Sequence, residues 1–142
     1  MTPEKRIENQ IRQHIVKNQG WEVKFFASPH TNKGIPDVLA SLKSRFCAFE
    51  IKRLSGGKPT PIQLWTLQQI ANAGGFAVVT NDPNIVDRYI QYEHQLDNLT
   101  KEDLKQHFNI DCISFTEQPS VTTATNAWQQ TTGVHTLWIR QQ

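Results

Sequence analysis

"GIPDVLASLKSRFCAFEIKR" (residues 34–53) is the stretch that decides how this chain folds. Apolar runs around Leu39 and Phe49 flank the polar pair Lys43-Ser44, which predicts two strands joined by a tight turn. Strands over 37–42 and 45–52 pair Leu42 with Arg45 and set Asp37 directly opposite Glu50. Opposed residues share a face, so the two carboxylates are expected about 5 Å apart at their Cβ atoms. Side chains alternate along a strand, so Lys52 shares the face of Glu50. A slip of one residue would send the two acids to opposite faces. The turn is not the favoured Asn-Gly type, so it is the charge pattern that favours this register.

Upstream, Thr2 and Pro3 suit the cap and first position of a helix, and Ile7, Ile11 and Ile15 form a stripe every four residues. Gly20 ends that helix, and Glu8 borders its apolar stripe. "WEVKFFAS" (21–28) reads as a strand, followed by the polar loop "PHTNKGIP". Downstream, "LSGGKPT" (54–60) is a flexible connection without the spacing of a phosphate-cradling P-loop. Thr60, Pro61 and Gln63 then open a helix with a capping box. Its apolar face includes Ile62, Leu64, Trp65, Leu67 and Ile70, with Trp65 expected in the core. "FAVVT" (76–80) is a strand buried on both faces.

Asp82-Pro83 opens a further helix running to about Asp97, and a short one begins at Thr100. "DCISF" (111–115) is expected at a sheet edge. Three strands in a row and then a helical crossover give a small mixed β-sheet flanked by helices, an α/β architecture. From Glu117 the composition shifts to Thr, Gln and Asn, dividing the chain into a domain over 1–116 and an extension over 117–142. That extension is either mobile or docked by Trp128 and Trp138.

The chain has 142 residues and a formal net charge of +2. Residues 1–60 hold eleven Lys or Arg against five acids, a balance of +6; residues 61–142 hold four against eight, a balance of −4. The basic first half suits a polyanionic partner or a solvated charged surface. No apolar run is long enough to span a membrane and no secretory signal is evident, so a cytoplasmic location is expected. Cys47 and Cys112 lack metal-site spacing, and Cys47 reads as a small buried apolar residue. His30, in the loop before Gly34, is either a structural histidine, the commoner case, or one that approaches the site.

Two ionised carboxylates held together repel unless a cation sits between them. A hard divalent ion with oxygen ligands, Mg²⁺ or Mn²⁺, resolves the conflict. A water made more acidic by that ion can attack phosphorus, and Lys52 can stabilise charge on the phosphoryl oxygens. The structural alternative is a salt bridge between Lys52 and a carboxylate at the rim of the sheet.

Pro36-Asp37 followed after a short strand by Glu50-Ile51-Lys52 resembles the signature of the PD-(D/E)xK nucleases. Gly34-Ile35-Pro36-Asp37, the first helix with Glu8, and Gln63 after the third strand resemble more narrowly the VRR-NUC group, over residues 4–80. The resemblance implies a restriction-endonuclease-like fold. It also implies that Asp37, Glu50 and the carbonyl of Ile51 ligate the metal, that Lys52 is the catalytic lysine, and that Glu8 joins as a further acid. Gln63 would sit at the mouth of the site, a role open beside its capping box. Lys33, Arg53 and Lys58 flank the site as candidates for contact with DNA phosphates.

The expected activity is Mg²⁺- or Mn²⁺-dependent hydrolysis of DNA phosphodiester bonds. Small members of the resembled group imply a homodimer acting on branched DNA such as a four-way junction, in phage or bacterial replication and repair. If the chain is phage-encoded, the compartment is the cytoplasm of a bacterial host. The alternative is a non-catalytic module that binds DNA or protein on the same fold.

Overall fold

The structure, a computed structural model, describes residues 1–30, 33–113 and 118–142, with only the backbone of 118–123. Its elements in chain order are α1 (Pro3–Lys17), β1 (Trp21–Lys24), β2 (Val38–Leu42), β3 (Arg45–Ile51), α2 (Pro61–Asn72) and β4 (Phe76–Thr80). Then follow α3 (Ile85–Tyr92), a 3₁₀ turn (Leu96–Asn98), α4 (Lys101–Phe108), β5 (Ile110–Ile113), α5 (Gln118–Gln130) and β6 (Thr136–Ile139). The six strands form one mixed sheet in the order β1-β2-β3-β4-β6-β5.

Hairpin β2–β3 adopts the register that the charge pattern predicts. Leu42 pairs with Arg45 and the ladder continues to Val38 and Phe49, which brings Asp37, one residue further, opposite Glu50. Lys43 and Ser44 make the turn with φ of 51° and 64°. Both lie in the left-handed region that a two-residue hairpin of matching twist requires, although neither is glycine.

Alternation along the hairpin sorts the core into two layers. Val38, Ala40, Leu42, Cys47, Phe49 and Ile51 face Ile7, Ile11 and Ile15 of α1, with α3 and α4 in the same layer. Ala48, Ala77 and Val79 face Leu64, Leu67 and Ala71 of α2 and Ala124 and Trp128 of α5. The sheet is thus sandwiched between helices, and β3 and β4 pair in parallel across the α2 crossover.

The caps at Thr2 and Thr60 form as expected, whereas α3 starts at Ile85 behind Asn84, with no side-chain cap, instead of at Asp82-Pro83. Thr2 Oγ1 accepts from Lys5 N at 3.2 Å. Thr60 Oγ1 accepts from Gln63 N at 3.3 Å while Gln63 Oε1 accepts from Thr60 N at 2.9 Å, completing the capping box. Gly34 has φ +81°, and a Cβ there would lie 2.8 Å from the carbonyl oxygen of Ile62. Glycine therefore lets the loop before Asp37 pass against the start of α2.

Several expectations are corrected. β1 stops at Lys24 instead of running to Ser28, and α3 stops at Tyr92 before a separate 3₁₀ turn. Trp65 is 36 % exposed, because α2 turns Leu64, Leu67 and Ala71 inward instead. β5 lies at the sheet edge, as expected of "DCISF", whose last two residues (114 and 115) fall outside the described residues. Cys47 is fully buried and free; burial pushes its thiol up to about 12.

Residues 118–142, set apart by composition, supply α5 and β6, and β6 inserts between β4 and β5. Trp128 and Trp138 are both buried, so docking describes this segment. No helix among the described residues is long and apolar enough to cross a membrane.

Candidate active site

The end of the β2–β3 hairpin holds a pair of carboxyl groups that no ion pair among the described residues fully balances. Asp37 Oδ2 accepts a hydrogen bond from Ile51 N at 2.8 Å, which ties the aspartate to the end of β3. Its backbone carbonyl accepts from Phe25 N at 2.9 Å, which secures the chain just beyond β1. Glu50 is only 2 % exposed. Its Oε1 lies 3.7 Å from Lys52 Nζ, a loose ion pair, whereas Oε2 is buried with no hydrogen-bond partner among the described residues. Lys52 is anchored through its backbone, N–H donating to Thr80 O at 2.9 Å, so β4 fixes where the ammonium starts.

Electrostatics follow from this geometry. Burial, then the charge of Asp37, pushes the Glu50 carboxyl up to about 8; Lys52 pulls it down without compensating, and Glu4 adds a smaller upward push. A buried carboxylate oxygen without a donor, facing a second carboxylate, fits an oxygen-ligated divalent cation. Asp37 and Glu50 would be the side-chain ligands, with the Ile51 carbonyl beside them. Among the described residues, no group of three or more His, Cys, Asp or Glu is gathered tightly enough to hold a metal by itself.

The raised Glu50 value has a consequence for stability. In metal-free protein the native state holds this proton to about pH 8, while the unfolded chain releases it near the ordinary value of 4.5. The native state therefore binds more protons in between, and stability falls as pH rises through that window. Thermal unfolding in EDTA should show a midpoint that declines from about pH 5 to about pH 8, with the decline weakened in Glu50→Gln. An unchanged slope in that variant would refute the assignment.

Glu8 is held by two lysines. It is buried, and its two oxygens are taken by separate lysines: Oε2 by Lys5 at 2.8 Å and Oε1 by Lys24. Burial opposes ionisation here, yet Lys24 and Lys5 outweigh it and hold the carboxyl below its ordinary range. One turn along, Arg12 Nε donates to Glu22 Oε2 at 2.7 Å. Glu8 and Arg12 are four apart on α1, and Glu22 and Lys24 two apart on β1, so the ion pairs zip one helix face to one strand face.

The remaining expected residues make local contacts or face solvent. The Gln63 side-chain oxygen is used in the α2 cap. Arg53 curls back, Nε donating to Ser55 O at 2.7 Å and Nη2 to Gly56 O at 3.3 Å. Lys33 and Lys58 are exposed. A cleft of about 340 Å³ at the start of α1 is lined by Thr2, Pro3, Glu4, Lys5, Glu8 and Arg53.

Two features escape a reading of the sequence alone. Lys24 looks like an ordinary polar strand position, and only its two-residue spacing from Glu22 hints at a shared face. Glu4 reads as a first-turn acid favoured by the helix dipole, yet its charge reaches Glu50.

No family model matches the sequence, and no curated protein does. A solved structure described as "VRR_NUC domain" is similar, with a TM-score of 0.55 and 25% sequence identity. The likeness covers 65% of this chain and 98% of that one, so nearly all of that domain has a structural counterpart here. An α/β sandwich that carries its acids at the end of the second and third strands, together with this match, establishes that the chain has the fold of the VRR-NUC nuclease domains.

Proposed function

We propose that the chain is a divalent-cation-dependent endonuclease that hydrolyses DNA phosphodiester bonds. The observation that carries this reading is the Asp37–Glu50 carboxyl pair at the hairpin end, with Glu50 Oε2 buried and without an N–H donor among the described residues. Asp37, Glu50 and the Ile51 carbonyl would hold Mg²⁺ or Mn²⁺. When bound, such an ion supplies positive charge and an acidified water for attack on phosphorus. Lys52 sets its ammonium beside Glu50, where it stabilises the negative charge that grows on the phosphoryl oxygens. Arg53, Lys33 and Lys58 supply cationic contacts that position the strand without reading its sequence. Gln63 stands near the mouth with one amide oxygen committed to its cap.

Charge pairing favours Glu4 over Glu8 as the helix acid in this proposal. Glu8 already balances two lysine charges, whereas Glu4 acts on Glu50. Glu4→Gln is expected to weaken the Mn²⁺-induced rise in thermal midpoint. Glu8→Gln is expected to lower the metal-free midpoint, since Lys24 and Lys5 lose their charged partner, at a cost of about 1–3 kcal/mol. The opposite pattern would return Glu8 to the metal site.

Branched DNA as substrate and a homodimer as the working form belong to the same proposal, since two symmetric cuts need two sites related by a two-fold axis. The test is cleavage of a labelled four-way junction and of its linear arms, with Mg²⁺, Mn²⁺ or EDTA. Junction cutting that requires the cation supports the proposal, and equal rates on the linear arms would remove branch selectivity. The rival reading is a module on the same fold that binds DNA or protein without cleavage. Junction binding with no cutting in either cation would establish that reading.

A further inference from the structure

β1 is an edge strand, with β2 on one side and no strand on the other. Phe25 N donates to Asp37 O at 2.9 Å, so by alternation Val23 and Trp21 also bond to β2. The backbone groups of Glu22 and Lys24 therefore point outward, and no other described residue takes them up. An open edge of this kind is a template for a further strand.

The side chains say which strand fits. "WEVKF" (21–25) is complementary to itself when two copies run antiparallel about Val23. Glu22 then stands opposite the second copy's Lys24, Val23 opposite Val23, and Trp21 opposite Phe25. Unlike charges and aromatic pairs are the favourable combinations across strands. The outward backbone groups also permit pairing about Glu22 or about Lys24, but each of those registers sets like charges face to face. Glu22 already holds Arg12 and Lys24 holds Glu8, so the Val23 register joins two zippers of ion pairs into one alternating row.

Both sides of this edge have surface to cover. Trp21 is 66 % exposed and Val23 40 %, on the sheet face that α2 covers further in. On the other face Gln13, Val16 and Glu22 line an open groove of about 500 Å³ between α1 and β1. We infer that two copies of the chain join edge to edge through β1, antiparallel about Val23, into one continuous sheet. This deepens the homodimer of the proposed function and rests on it for the partner; the choice of surface rests on β1 alone. β2 and its copy lie three strand spacings apart, and Asp37 is two residues past the level of Val23. The two Asp37 residues are therefore about 20 Å apart on one face, where a single branched DNA meets both sites.

Sedimentation equilibrium should give the intact chain twice the 16.3 kDa of one copy. Val23→Lys sets two ammonium groups against each other at the axis and should raise the dimer dissociation constant at least about tenfold. Val23→Cys is a milder second variant. Opposed residues of a non-hydrogen-bonded pair stand about 4.5 Å apart at Cα, within disulfide reach. Oxidised glutathione should therefore crosslink Val23→Cys into a covalent dimer on a non-reducing gel. Ser41→Cys is exposed on the same face but about 20 Å from its copy, and should crosslink no more than the intact chain does through its own thiols. A monomeric intact chain, a dimer that survives Val23→Lys, or failure of Val23→Cys to crosslink would each overturn the inference. A dimer of the second or third kind would pair through another surface and leave the proposed function standing. A Val23-crosslinked dimer that cuts no DNA in either cation would refute the nuclease reading alone.

Discussion

Asp37→Asn is expected to lower cation-dependent cleavage by at least about a hundredfold while leaving the fold intact. The asparagine keeps a side-chain oxygen that can accept from Ile51 N, the bond that Asp37 Oδ2 makes at 2.8 Å, so the end of β3 stays tied. What is lost is one negative charge facing Glu50. Two consequences follow from that one charge. The cation loses a ligand, and the Glu50 carboxyl loses a source of its upward shift from 4.5 to about 8.

The second consequence gives the experiment a readout independent of catalysis. In metal-free Asp37→Asn the fall of stability with pH should be complete at a lower pH than in the intact chain. Lys52→Ala should have the opposite electrical effect, because the lysine pulls Glu50 down, and should cost cleavage about 10²–10³-fold. If Asp37→Asn cut DNA at the rate of the intact chain, the hairpin end would be a structural ion cluster and the catalytic groups would lie elsewhere.

What could be read beforehand was local. The hairpin register follows from alternation and from the position of the turn, so Asp37 and Glu50 could be placed opposite one another from the letters alone. The caps at Thr2 and Thr60 are likewise decided within four residues of sequence. What could not be read depends on partners distant in the chain. Whether Glu8 points to a cation or to Lys24 turns on how α1 lies against β1, sixteen residues away. Trp65 looked like a core residue because α2 is apolar on more than one side; which side packs is decided by the sheet it covers.

The last strand shows the same limit most clearly, and it yields the largest expected loss of stability. "TLWI" (136–139) lies within a stretch dominated by Thr, Gln and Asn, so its composition suggests an appendage. In the fold it is the strand between β4 and β5, antiparallel to one and parallel to the other. Trp138 is 2 % exposed and packs on Phe76 with ring centroids 5.7 Å apart, while Arg140 lies 4.8 Å over its ring. Truncating such a side chain removes about 3–5 kcal/mol, a large share of the roughly 5–15 kcal/mol that holds an ordinary domain together. Trp138→Ala should therefore shift the urea midpoint strongly downward. Ending the chain at residue 116 should do more, since β5 would lose the strand it pairs with and β4 would be left with an open edge. That shortened chain is expected to show no cooperative unfolding transition and no Mn²⁺-induced stabilisation, although Asp37, Glu50 and Lys52 are all still present. Circular dichroism against temperature decides it: a sharp transition within a few degrees of the intact protein's would mean that residues 1–116 form a complete domain and that β6 merely decorates it.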